Sequence, residues 1–163
     1  MRKRSSYKPK GVRLDVMGWL KQGMQPMATH QDAITLRLRN HAAMDELVKG
    51  RGTREHCDVV IAALNMTEAL ALMRIGEDWK DEIRAAQDAL FAVGSRGAET
   101  GRFILRGPEL TSLNLGMQIH DAQLEACTVA ELERAIEMVR KIIISNRARP
   151  IVRKEKHEAK ATD

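Results

Sequence analysis

A chain of 163 residues with 44% apolar side chains is long enough for one domain with a real core and too short for two comfortable ones. Two cysteines are too few for a disulfide scaffold, and the longest unbroken apolar run, Val59–Leu64, falls far short of the ~20 residues of a membrane span. The net charge of +5 is spread unevenly: residues 1–13 carry six cations and no anion, residues 147–163 carry a net +3, and the body from 14 to 146 is left at −4.

That split divides the chain into a basic N-terminal arm (1–13), a helical domain (14–146) and a basic C-terminal tail (147–163). In the arm, Arg2, Lys3, Arg4, Lys8, Lys10 and Arg13 are candidate phosphate contacts, and in the tail Arg147, Arg149, Arg153 and Lys154. Flexible charged ends also serve solubility alone, so the two uses stand side by side. No apolar stretch follows the leading cations, which excludes a secretory signal and sets the expected compartment as cytoplasmic.

In chain order, the first element is "LDVMGWLKQGM", a short helix with Asp15 as cap, Leu14 and Trp19 as its staple, and Gly23 and Pro26 as its stop. Met17, Leu20 and Met24 share one face with Trp19 beside it. Two turns are not stable alone, so this face docks on the body or anchors a protein partner in a groove. In "AITLRLRN", Ile34, Leu36 and Leu38 alternate with Thr35 and Arg37, which is a strand period. A brief extended stretch is therefore favoured, then a helix from about His41 to Lys49 with Asn40 as cap and Gly50 as stop. A single helix from Thr29 to Lys49 is the alternative.

Four substantial helices follow. The first, 54–75, is capped by Thr53 and ended by Gly76; thirteen of the seventeen residues Val59–Ile75 are apolar, which places it at the centre of a bundle. The second, 78–93, starts on Asp78 and ends at Gly94, with Trp79, Ile83, Ala86, Leu90 and Val93 as its seam. "SRGAETGR" reads as a loop, and "FILR" at 103–106 as a short strand whose natural partner is "ITLRL". The third helix, 108–126, has Pro108 at its first position and a stripe of Leu110, Leu113, Met117, His120, Leu124 and Cys127. The fourth, 129–146, carries a Thr128–Glu131 capping box with Cys127 and Leu132 as staple, and Leu132, Ile136, Val139 and Ile143 turned inward. The fold class is mainly α: a four-helix core with a short N-terminal helical elaboration, a minor two-stranded ribbon as an option, and basic flexible termini.

Few motifs carry chemistry. His120 and Cys127 share a stripe but stand ~10.5 Å apart along a helix, too far to share one metal ion. A site would need His56 or Cys57 to meet His120 across a helix interface, so no metal or cofactor is expected. G-x-S-x-G, H-E-x-x-H and S-x-x-K are absent, and Asp78, Asp81 and Glu82 crowd a helix start as dipole partners. The glycines at 94, 97 and 101 lack the preceding strand and the closing Gly-Lys-Ser/Thr of a phosphate loop, leaving only a weak anion contact through Arg96, Arg102 and Arg106. A non-enzymatic protein is expected. It would bind DNA or RNA non-specifically through its basic ends, with Tyr7 too solitary for a stacking platform. The alternative is a protein-interaction module anchored by Met17, Trp19, Leu20 and Met24, with a homodimer as one arrangement and a membrane as none.

The stretches "YKPKGVRLDVMGWLKQGMQPM" and "GEDWKDEIRAAQDAL" resemble small uncharacterised accessory proteins encoded by bacteriophages and prophages, over the span from the basic leader to about Arg149. The resemblance implies a phage-accessory context in the bacterial cytoplasm, with a host or phage protein or nucleic acid as partner. It implies no catalytic residues.

Overall fold

The computed structural model describes residues 31–145. Over them the chain forms five α-helices: α1 (Gln31–Val48), α2 (Arg54–Leu72), α3 (Lys80–Thr100), α4 (Gly107–Ala126) and α5 (Val129–Ile144). One 3-10 turn, Glu77–Trp79, leads into α3. The mainly α architecture inferred from helix punctuation is the one observed.

Helix α2 packs against each of the other four. Its first half contributes Val60 and Leu64 to a core shared with Met44 and Leu47 of α1, Leu90 and Val93 of α3, and Leu113 and Met117 of α4. Its second half contributes Ala69 and Leu70 to another, with Ala33 of α1, Leu124 of α4, and Leu132 and Ala135 of α5. Burying a single such leucine is worth about 1.5–3 kcal/mol, so the central placement of α2 organises the bundle.

Local chemistry sets the ends. The Thr53 hydroxyl accepts from the His56 amide at 3.4 Å while the Thr53 amide donates to His56 Nδ1 at 3.2 Å. Thr128 and Glu131 form the expected reciprocal pair, 3.3 and 2.8 Å. At α4 the Arg106 amide donates to the Glu109 carboxylate at 2.8 Å, beside a proline in the first turn. Helix α2 stops three residues before the expected Ile75, because the chain turns over Arg74 at φ 69°. There the Ile75 amide reaches back to the Leu70 carbonyl and the Arg74 amide to that of Ala71, a Schellman closure with arginine at the left-handed position.

Several expectations are corrected. Residues 34–38 are not extended; they belong to α1, and among the described residues no strand forms, only an isolated antiparallel bridge between Gly52 and Phe103. The buried face of α1 is Ala33, Asn40, Ala43 and Leu47 with Leu36 partly covered, a three–four spacing. Ile34 and Leu38, which suggested alternation, are 53% and 72% exposed. Asn40 is therefore an interior residue and not a cap. Helix α3 does not end at Gly94: it runs through the supposed loop to Thr100, and Gly101 at φ 74° stops it. Gly94 and Gly97 lie on its buried side, where a Cβ on Gly97 would fall 2.2 Å from the Phe103 ring. Trp79 is not in the α3 seam; it closes the 3-10 turn and is 47% exposed, and Asp78 makes no capping bond. On α5, Leu132 and Ala135 face inward, whereas Ile136 and Ile143 are exposed.

Gly97→Ala should lower stability by about 1–2 kcal/mol in urea unfolding, since the clash with Phe103 outweighs the gain in helix propensity. Gly107→Ala, whose added methyl meets nothing within 4 Å, should change it by less than about 0.5 kcal/mol.

Candidate functional site

The residues singled out for nucleic-acid contact (Arg2, Lys3, Arg4, Lys8, Lys10, Arg13, Arg147, Arg149, Arg153, Lys154) and for partner anchoring (Met17, Trp19, Leu20, Met24) lie outside the described residues. Within the bundle, several cations are already engaged. Arg37 reaches Glu125 at 2.9 Å and Asp121 at 3.4 Å, and Arg51 reaches Glu46 at 2.6 Å. Arg96 grips both Glu109 oxygens at 2.6 Å and donates to the Ile104 carbonyl at 3.0 Å. That fork tethers α3 to the start of α4, and its hydrogen bonds hold the Glu109 carboxyl below the usual carboxylate range. The weak anion contact expected at Arg96, Arg102 and Arg106 therefore loses Arg96 to an internal carboxylate.

His120 is fully buried at the meeting of α1, α2 and α4. The Thr67 hydroxyl donates to the Ala63 carbonyl at 2.9 Å, so its oxygen is free to accept from His120 Nδ1–H, also at 2.9 Å. Nε2 is then bare and accepts from the Asn40 amide at 3.2 Å. Burial pushes the imidazole down to about 4, against the pull of Asp121 and with the help of His41 and Arg37. Both ring nitrogens are committed to the fold, so His120 is a structural histidine, as its place on the α4 stripe suggested. The thiols are equally inert: burial, then Asp58, pushes Cys57 up to about 11, and burial raises Cys127. Among the described residues no group of three or more His, Cys, Asp or Glu side chains is placed to hold a metal ion, and no helix is long and apolar enough to cross a membrane.

One concave feature of the bundle is a groove of about 600 Å³ lined by α2, α3 and the second half of α5. From α2 come Arg54, Asp58, Ile61, Asn65, Glu68 and Leu72, spaced by alternating fours and threes and so forming one helix face. From α3 come Gln87, Asp88, Phe91, Gly94 and Ala98, and from α5 Val139, Ile142 and Ile143. Gln87 ties α3 to α2 by donating to both Asn65 and Glu68 at 3.1 Å. The apolar lining carries three carboxylates, Asp58, Glu68 and Asp88, against one cation, Arg54, and Arg84 reaches Glu68 at 3.7 Å from outside the lining. Leu72 and Ile143 are each more than half exposed there.

The sequence reading missed this groove, yet a signal was present. On a helix otherwise apolar almost all round, the polar positions 54, 58, 65 and 68 fall on one face, which marks the side no other helix covers. The run Ile142–Ile144 is a second: three consecutive isoleucines on a helix cannot all turn inward.

Set against known proteins, the chain matches no family model, no curated protein and no solved structure. Function is accordingly read from the geometry alone.

The histidine relay gives the bundle an acid sensitivity of defined sign. Unfolded, His120 takes a proton near its ordinary 6.5; folded, it refuses one until about 4. Between those values the unfolded chain binds more protons, so stability is lost as pH falls from 6.5 toward 4. Over that interval the parent should lose on the order of 3 kcal/mol more than His120→Gln, read by urea unfolding at pH 7 and pH 4.

Proposed function

We propose that the chain is a non-enzymatic interaction module whose groove receives an amphipathic helical segment bearing apolar and basic side chains. The observation that carries this reading is the groove itself: an open apolar trough with an acidic balance and exposed isoleucines along one wall. Helix-in-groove recognition needs this combination, an apolar trough for the i, i+3 and i+4 anchors and charge at the edge to fix their register. A role as a phage-type accessory factor in the bacterial cytoplasm, modulating a host or phage protein, belongs to the same proposal. A labelled Leu/Lys amphipathic peptide should bind the full chain saturably, and Ile143→Asp should weaken it about tenfold, a cost near 1.4 kcal/mol. Binding that neither Ile143→Asp nor Ile61→Asp alters would sink the groove reading.

A second reading is favoured by the charge split, with ten cations named at the two ends and a body at −4. On this reading the ends grip nucleic-acid phosphates without reading sequence, and the acidic bundle stands away from the polyanion. Retention of labelled DNA or RNA in a mobility shift should fall steeply from roughly 50 to 200 mM salt, with a log–log slope near −0.9 per phosphate neutralised on duplex DNA. No shift even at the lowest salt refutes it.

A further inference from the structure

The geometry points to a second copy of this chain as the occupant of the groove, paired through α5 about a two-fold axis. This inference rests on the groove reading and names its partner. It starts from how little of α5 the fold uses. Of its sixteen residues only Leu132 and Ala135 are buried, and it packs chiefly on α2. Leu132, near its start, shares an apolar cluster with Leu70, near the end of α2. The second half of α5 therefore runs back along α2, where Val139, Ile142 and Ile143 wall the trough. Ile136, Ile142, Ile143 and Ile144 are each more than a third exposed. Apolar surface gathered in this way on one helix marks an interface.

Charge identifies what covers it. Glu131, Glu133 and Glu137 against Arg134 give residues 129–137 a charge of −2, and Arg140 and Lys141 give residues 138–144 a charge of +2. Two copies of α5 laid parallel would oppose like charges. Laid antiparallel about a point near Met138, they set Glu133 and Glu137 of one copy within a helical turn of the partner's Arg140, and Ile136 within a turn of the partner's Ile143. Every such contact occurs twice, as a two-fold requires. Glu133, Glu137, Arg140 and Lys141 are all exposed. The pairs that Glu137 makes along its own helix, 3.7 Å to Arg140 and 4.0 Å to Lys141, are open to water and exchange for contacts across the axis at little cost. The trough adds a second match. Its acidic balance and its apolar residues Ile61 and Leu72 meet the basic, isoleucine-rich second half of the partner's α5. Because α5 is both a wall of one groove and the occupant of the other, the assembly closes at two copies.

Sedimentation of the full-length protein should show a monomer–dimer equilibrium. Ile136→Asp or Ile143→Asp should raise its dissociation constant at least about tenfold while far-UV circular dichroism stays helical. Glu133→Lys/Glu137→Lys and Arg140→Glu/Lys141→Glu should each be monomeric alone, and an equimolar mixture of the two should dimerise again. The labelled Leu/Lys peptide should compete with the dimer. A parent that stays monomeric at every concentration overturns the inference, as does a dimer indifferent to both aspartate substitutions and to the charge exchange. If the parent is monomeric, yet the peptide binds and Ile143→Asp weakens it, the groove reading survives and only the second copy is lost as its occupant.

Discussion

Helix α2 is apolar over too much of its circumference to stand at the edge of a domain, and the other elements are arranged around that fact. Four helices pack on it, and its two halves anchor two stacked clusters of core residues. Its only extended polar stripe has nowhere to go but outward, and the helices that would otherwise close over that stripe stop short of one another. The trough between α3 and α5 is therefore a product of core formation: the floor is the face of α2 that could not be buried, and the walls are the flanks of two helices placed to cover the rest.

Polar chemistry decides how the pieces are joined. The Arg96–Glu109 fork, drawn tight beside the Gly97–Phe103 contact, holds the turn between α3 and α4 in one geometry. The cost of removing a buried hydrogen-bond partner exceeds the gain from making the bond, so the fully satisfied Asn40–His120–Thr67 relay specifies where α1 and α4 sit relative to α2. His120, a buried titratable side chain, is thus spent on architecture together with its two partners.

Much of this was written plainly in the residues, and what was not has physical reasons. Caps at Thr53 and Thr128 and the core rows Ile83–Ala86–Leu90–Val93 and Leu113–Met117–Leu124 are local signals, set by bonds or contacts within one or two turns. The errors arose where a tertiary partner overrode the local signal. Gly94 looks like a helix stop and Gly97 like a loop residue until Phe103 folds back onto Gly97 and requires a surface with no side chain there. Asn40 looks like a cap until His120, eighty positions away, claims its amide. Ile34, Leu36 and Leu38 mimic a strand because over residues 33–43 the inward face of α1 is Ala33, Leu36, Asn40 and Ala43, of which only Leu36 has much hydropathic weight. Trp79 fits the four–three spacing of the seam, yet the 3-10 turn sets it outside. The groove was hidden for a related reason: periodicity finds the face that packs, and a site is the face that does not.

The two halves of α1 are fastened by different forces. Met44 and Leu47 root its far end in the core, whereas nearer its start the small Ala33 and the partly covered Leu36 are joined by the Arg37 and His41 contacts to Asp121 and Glu125 on α4. Such a helix does not detach as a unit. Local opening of a helix is cheapest where its buried contacts are fewest, so the amides ahead of Asn40 should exchange with solvent before those around Leu47.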